Sequence, residues 1–521
     1  MTKSGRVPAH RRSRRRHIPI RRWPRRLLVT INVVTALSLL SAGTVYGYVR
    51  YRVSQLKTQA APHIVATAPL AAQKGSDGLE AMNILLIGNN TRTGLSPAEA
   101  AQFGSSSDVG GARSDVTMVL HLDPKANTAS LLSIPRDFFV SLPPHSIAGG
   151  YGKIDAALNG INGDPKTGPD NLIQAVEDDL GIPINHYISI NFDGFQQTIN
   201  AIGGIKMNFP VPLRDQPAAL NVTAGCQTLN GHDALAVVRA RHLQYYQGGR
   251  WQNDPESDLS RIVRDHIFLK IFANTAKAQL TDVFKANALI VGLLNQVTVD
   301  PGLNGSLLLQ IFKHYRHLNV DAVPETTLPI TVINNYYYEG GSYGDVDMPV
   351  EPLDHQVIDT WAGIPLAASS PASISVSVVN ISGIYHKANQ IADGLTAIGF
   401  HVTGTSTAPV PASITETVIR YHPYSVADAI GVLRSLSGSV RIQADPTVPA
   451  GQVVVDSGSV VAVIPPPPPT VPSTTAVVGS PTTTARTGST STSTPTTLPT
   501  AGNQPPSPSG DQISSWDPTP C

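Results

Sequence analysis

Two arginines and two aspartates, Arg113, Asp115, Arg136 and Asp137, stand within a stretch of short apolar runs. Asn83-Ile-Leu-Leu-Ile-Gly88 precedes them, and Ser133-Ile-Pro leads into Arg136-Asp137. The β-rich composition predicts strands over Met82–Ile87, Val116–Leu122 and Thr128–Ile134. Asn89, Asn90, Arg113, Asp115, Arg136 and Asp137 then fall at strand ends, where α/β sheets commonly carry ligand chemistry. Guanidinium forks suit phosphate oxygens and carboxylates suit a hard divalent cation, so these residues fit a phosphate with a metal. Read alone, Arg136-Asp137 fits a surface ion pair beside a turn equally well.

More basic residues follow. Arg239 and Arg241 flank one alanine; on a helix they point about 200° apart, so both face one ligand only where the helix has ended. A solvated basic helix end is the plainer alternative. Arg261 and Arg264 are three apart and share a helix face.

The elements around these residues can be read along the chain. Residues 1–26 form a basic tail dense in arginine, and 27–49 carry no charge. Such a run is long enough to cross roughly 30 Å of hydrocarbon as a helix. Arginine concentrated on one side predicts a cytoplasmic N-terminal tail and an exported body. The chain has 38 Lys+Arg and 37 Asp+Glu, but 13 of the basic residues and none of the acidic ones lie in 1–52. The remainder holds 25 basic against 37 acidic side chains, a net −12, a poor match for nucleic acid. Residues 50–79 read as a stalk, 80–363 as an α/β or α-β-α sandwich domain, and 372–463 as a second, small α/β domain. The Pro/Thr/Ser-rich 464–521 reads as a disordered tail. Cys226 and Cys521 are the only cysteines, so no disulfide framework is expected. No Walker loop, zinc-spaced cysteine cluster or Gly-x-Ser-x-Gly elbow occurs, and the 15 histidines are scattered.

An ordered series of motifs resembles the LytR-CpsA-Psr family of cell-envelope proteins. It comprises Asn83–Gly88, Arg113-Ser-Asp115, Leu120-His-Leu-Asp123, Ser133-Ile-Pro-Arg136-Asp137, Lys153-Ile-Asp155, His186–Phe195, Gly203-Gly204, and Cys226–Gly231 leading to Val238-Arg239-Ala-Arg241-His242. Residues 374–455 look like the C-terminal domain that often accompanies it in actinobacteria. The resemblance implies an Mg2+-dependent phosphotransferase that moves a glycan polymer from a polyprenyl-pyrophosphate carrier to peptidoglycan at the membrane. Its alternatives are a non-catalytic lipid- or wall-polymer-binding protein, of the kind once named transcriptional attenuators, and a polyprenyl-pyrophosphate phosphatase. It implies Arg113, Arg136 and Asp137 as catalytic residues. Lys153, Arg239, Arg241, Arg261 and Arg264 become substrate-binding, and Asp115 and Asn90 metal-binding. Asp155 and Asp193 are weaker candidates. Two departures stand out. The family's usual Gly-x-Asp-x-Arg reads here Gly88-Asn89-Asn90-Thr91-Arg92, an amide where a carboxylate is usual. The family's Arg-Gln reads Arg264-Asp265-His266. The charge asymmetry makes a direct prediction: a reporter fused at Cys521 should be active only outside the cytoplasm, and cytoplasmic activity would overturn the exported topology.

Overall fold

The computed structural model describes residues 56–64, 74–98, 111–143, 150–255, 258–279, 296–338, 341–350, 353–362, 370–409, 414–464 (without 423, 424, 446 and 450) and 513–521, with single positions 35, 47 and 51. The basic tail and the expected span over 27–49 therefore lie outside the described residues but for two positions, and no described helix is long and apolar enough to cross a membrane. Residues 1–54 and 55–521 are separate compact units; the description below concerns the second.

Side chains alternate across a strand. In Met82–Asn89, Leu85 and Ile87 join one apolar cluster while Met82 and Ile84 join another. A strand apolar on both faces needs cover on both. The helix Gly168–Leu180 supplies it on one side through Leu172, Ile173 and Val176; Gly305–Tyr315 supplies it on the other through Leu307 and Ile311. Between them runs a seven-stranded mixed sheet in the order Lys57–Thr58, Val297–Val299, His186–Ile190, Met82–Asn89, Ser114–Asp123, Thr128–Ile134, Glu325–Thr327. The register pairs Asn89 with Ser114 and Thr117 with Ile134. One edge of the sheet thus collects Asn89, Asn90, Arg113, Asp115, Arg136 and Asp137.

A separate core, with Val376, Val378, Ile391, Leu395, Ile419 and Val455, belongs to the second α/β element. Its five strands order as His401–Thr407, Ser375–Asn380, Gln452–Ser457, Thr417–Tyr421, Val440–Ala444, with helices Lys387–Ala397 and Val426–Leu433. It packs where the Gly168–Leu180 helix ends. There Gly181 takes a left-handed φ of 63°, and a Cβ on it would sit 3.1 Å from Leu433 Cδ2.

Two features depart from expectation. A long hairpin, Ile330–Tyr338 with Gly341–Pro349, docks beside the sheet edge through Asp347 N–H donating to the Asp137 carbonyl at 2.9 Å. The second departure corrects the absence of a disulfide and, for its last nine residues alone, the disordered tail expected over 464–521, whose residues 465–512 lie outside the described residues. Residues 513–521 fold back onto the first domain, where Thr519–Pro520 pair with the edge of Ile205–Phe209 and Cys521 forms a disulfide with Cys226. Trp516 stacks on Tyr245, ring centroids 4.1 Å apart. Composition is averaged over a window, so it does not register one tryptophan and one cysteine that find their partners about 300 residues earlier. A cross-link that closes so long a loop stabilises by restricting the unfolded chain. Cys521→Ser should therefore lower stability in urea by about 2–4 kcal/mol; an unchanged midpoint would show that the strap adds nothing.

Candidate active site

The strand Ser114–Asp123 starts beside Arg113, and the turn after Thr128–Ile134 delivers Arg136. These arginines converge on one carboxylate. Asp155, fully buried at the start of the 3-10 helix Ile154–Asn159, accepts from Arg113 Nη1 at 3.2 Å and Arg136 Nη2 at 2.8 Å. Burial pushes its carboxyl up, against the pull of Arg136 and Arg113. Arg136 Nη1 also donates to Asp115 Oδ1 at 2.6 Å. Asp137 turns the other way, to Lys153 Nζ at 2.9 Å and Arg241 Nη2 at 3.0 Å. It holds cations in place and does not line the cavity described below.

The helix Gly231–Arg239 ends where Ala240 becomes extended, with φ −64° and ψ 114°. Arg239 and Arg241 can then face one ligand, the condition their spacing imposes. Both line the same cavity, and the Arg239 guanidinium lies 4.4 Å over the Phe192 ring. Arg241 Nε and Arg261 Nε share Asp258 Oδ1 at 2.8 and 2.9 Å. Burial raises Asp258, but Arg261 and Arg241 outweigh it and hold the carboxyl at about 2.

Six arginines, at 92, 113, 136, 239, 241 and 261, line a polar cavity of about 320 Å³ with Asn90, Asp115, Asp215 and His242. Behind it lies an apolar cavity of about 280 Å³, walled among others by Leu86, Met118, Ile190, Phe195, Leu235 and Phe268. The two share Asp115, Phe192 and Arg239 as a common wall. A chain of hydrocarbon ending in phosphates matches that pairing.

Not every expected residue reaches the cavity. Lys153 stands behind it on Asp137. Arg264 is a correction: it is wholly buried, donates from Nη2 to the Ala240 carbonyl at 2.6 Å, and is paired with Asp254 at 3.2 Å, so it meets no substrate. His266 bonds Ser133 Oγ at 2.6 Å inside the protein. Asp193 turns to Gln197, at 2.8 Å, on the surface. Arg92, Phe192 and Asp258 join the site without a strong sequence signal. Arg92 stands in the motif around Asn90, and Asp258 precedes Arg261 by three, the spacing of a helical ion pair.

For a metal, the donors near the arginines are hard oxygens. Asp115 Oδ2 takes no hydrogen bond among the described residues, since only Oδ1 meets Arg136. Asn90 Oδ1 accepts the Arg113 backbone N–H at 3.0 Å, tying the ends of the two paired strands together, which leaves it a secondary ligand at most. Among the described residues no group of three or more His, Cys, Asp or Glu side chains gathers. One carboxylate fits Mg2+ when phosphate and water oxygens complete the shell.

The site is thus an apolar cavity bordered by a cluster of guanidinium groups. The chain belongs to the LytR_cpsA_psr family, whose model matches residues 48–350, and residues 373–463 match the LytR cell envelope-related transcriptional attenuator domain. It is 31% identical over 281 residues to the probable cell wall biosynthesis protein LcpB of Corynebacterium glutamicum, covering 54% of this chain and 60% of that protein. To the cell wall biosynthesis protein LcpA of the same organism it is 25% identical over 425 residues, covering 74% and 78%. The polyisoprenyl-teichoic acid–peptidoglycan teichoic acid transferase TagV of Bacillus subtilis is 31% identical over 234 residues, 44% of this chain and 56% of TagV. The matches thus span less than two thirds of LcpB and TagV.

One wall residue carries a pH signature. Asp265 lines the apolar cavity, 4% exposed, its oxygens accepting no hydrogen bond among the described residues and Arg261 Nη1 3.5 Å away. Burial pushes it up to about 7 despite Arg261 and Arg264. An unfolded aspartate titrates near about 3.9. Between those values the folded state keeps a proton that the unfolded state has lost. Stability is therefore lost as pH rises through that window and levels off above about 7. Asp265→Asn should flatten this dependence: between pH 5 and pH 8 the wild type should lose about 2 kcal/mol more than the variant in chemical denaturation. Parallel profiles would show that Asp265 is ionised throughout.

Proposed function

We propose that this chain is a membrane-anchored phosphotransferase that attaches a glycan polymer, carried on polyprenyl pyrophosphate, to peptidoglycan outside the cytoplasm. The observation that carries the reading is the shared wall of the two cavities, which lets a prenyl chain lie in the apolar one while its pyrophosphate meets six arginines. TagV, by its name a transferase of polyisoprenyl-linked teichoic acid to peptidoglycan, gives the kind of donor and acceptor. The uncharged run at 27–49 supplies the anchor, and it keeps the site near its lipid.

In this reaction an acceptor hydroxyl oxygen bonds to the phosphorus that bears the glycan. The bond from that phosphorus to the bridging oxygen breaks, and prenyl phosphate leaves with the bridging oxygen and its electron pair. The hydroxyl proton passes to a base. Negative charge grows on the leaving group, and fixed guanidinium groups stabilise it without reorganising. Arg113 and Arg136, locked on Asp155, and Arg241 and Arg261, locked on Asp258, are held in position before substrate arrives. Asp115, aided by Asn90, would hold Mg2+. When bound, the ion supplies further neutralisation of the pyrophosphate.

The test is turnover of a lipid-pyrophosphate-linked glycan with peptidoglycan fragments as acceptor. Arg136→Ala and Arg241→Ala should each lower turnover by about 10²-fold or more, with folding intact by circular dichroism. Normal rates in both variants would place the phosphate site elsewhere. Release of phosphorylated glycan to water without transfer would make the protein a phosphatase instead.

A further inference from the structure

We infer that Asp517, on the strap that folds back onto the first domain, is a positioning residue for the arginine cavity and acts on Arg239 and Arg241 through Arg264. The inference rests on reading that cavity as the pyrophosphate site. The chain of contacts is short. Asp517 is 1% exposed, and its Oδ1 lies 3.7 Å from Arg264 Nη1. Ser514 N–H donates to Asp517 Oδ2 at 2.8 Å, so the carboxylate is fixed by its own turn. Arg264, 0% exposed, donates from Nη2 to the Ala240 carbonyl at 2.6 Å. Ala240 is the single residue between Arg239 and Arg241, and its extended backbone decides where both guanidinium groups project.

A wholly buried guanidinium is stable only with carboxylates around it. Asp254 is one, at 3.2 Å and itself fixed by Ser260 Oγ at 2.9 Å. Asp517 is a second, and it comes from a segment that sequence places nearly 280 residues beyond Ala240. The strap is built to stay. The strand pairing of Thr519 with Asn208, the bond from Asn208 Nδ2 to Thr519 Oγ1 at 3.1 Å, the Trp516–Tyr245 stack and the Cys226–Cys521 disulfide all hold it against the edge of Ile205–Phe209. So many constraints on so short a segment fix one carboxylate against one guanidinium. A neutral side chain at 517 would leave Arg264 free to re-aim toward Asp254, and the Ala240 carbonyl would lose its donor.

The experiment uses the full chain in detergent and two probes, geranyl pyrophosphate and uncharged geraniol, titrated by calorimetry into wild type, Asp517→Asn, Asp517→Glu and Arg241→Ala. Asp517→Asn should weaken geranyl pyrophosphate roughly 3- to 30-fold, the range of coupling through an intervening network, and leave geraniol affinity unchanged. Asp517→Glu, which keeps the charge, should recover most of the loss; it also keeps the test decisive should Asp517→Asn fail to fold. Wild-type pyrophosphate affinity in Asp517→Asn, beside a loss in Arg241→Ala, would overturn the positioning role alone. Equal loss of both probes in Asp517→Asn would also overturn it, since the strap would then merely support the fold. Wild-type affinity in Arg241→Ala would sink the pyrophosphate reading and this inference together.

Discussion

The site depends on one electrostatic constraint: guanidinium groups cannot be crowded around an empty cavity unless buried carboxylates stand behind them. Each carboxylate here serves two cations. Asp155 holds Arg113 and Arg136, Asp258 holds Arg241 and Arg261, and Asp137 holds Lys153 and Arg241. A shared counter-ion cancels only part of the charge, so the cavity keeps a positive field. It also fixes each fork, so that binding orders fewer side chains. Losing one such carboxylate would cost two partly buried cations a counter-ion at once. The partners come from the sheet edge, a 3-10 helix and a long helix spread over roughly 150 residues, and the fold serves to bring them to one wall.

That wall also explains why two solvents meet at one point. The sheet edge is polar where strands end, and apolar one turn deeper where the same strands run under the helices. Gly88 and Asn89 therefore border the apolar cavity while Asn90 borders the polar one. A molecule with a hydrocarbon tail and a doubly charged head needs such a boundary, and alternation along a strand places it within two residues.

Local pattern made much of this legible. Thr128–Ile134 shows as a strand with the bounds it has, and Arg239 and Arg241 as a pair that works only past a helix end. What stayed hidden lacked periodicity or depended on distance. Arg261 and Arg264 share a face by spacing, yet one reaches the cavity and the other lies behind it. Their helix is buried on all sides from Ser260 to His266, so it offers no polar stripe from which to read direction. The tyrosine-rich hairpin sits on the surface, where no alternation marks it. The strap is too short to differ in composition from the polar stretch before it, and its docking depends on partners remote in sequence.

The Cys226–Cys521 bond spans 295 residues, and the whole second domain lies inside the covalent ring it closes. That domain is therefore not a pendant on a single linker. Chain leaves the first domain to form it and returns to the first domain afterwards, so a pull on it is shared between two attachments. One of these is the strap that bears on Arg264. In covalent terms the two domains form one closed ring, so the second is tethered to the first at both of its ends.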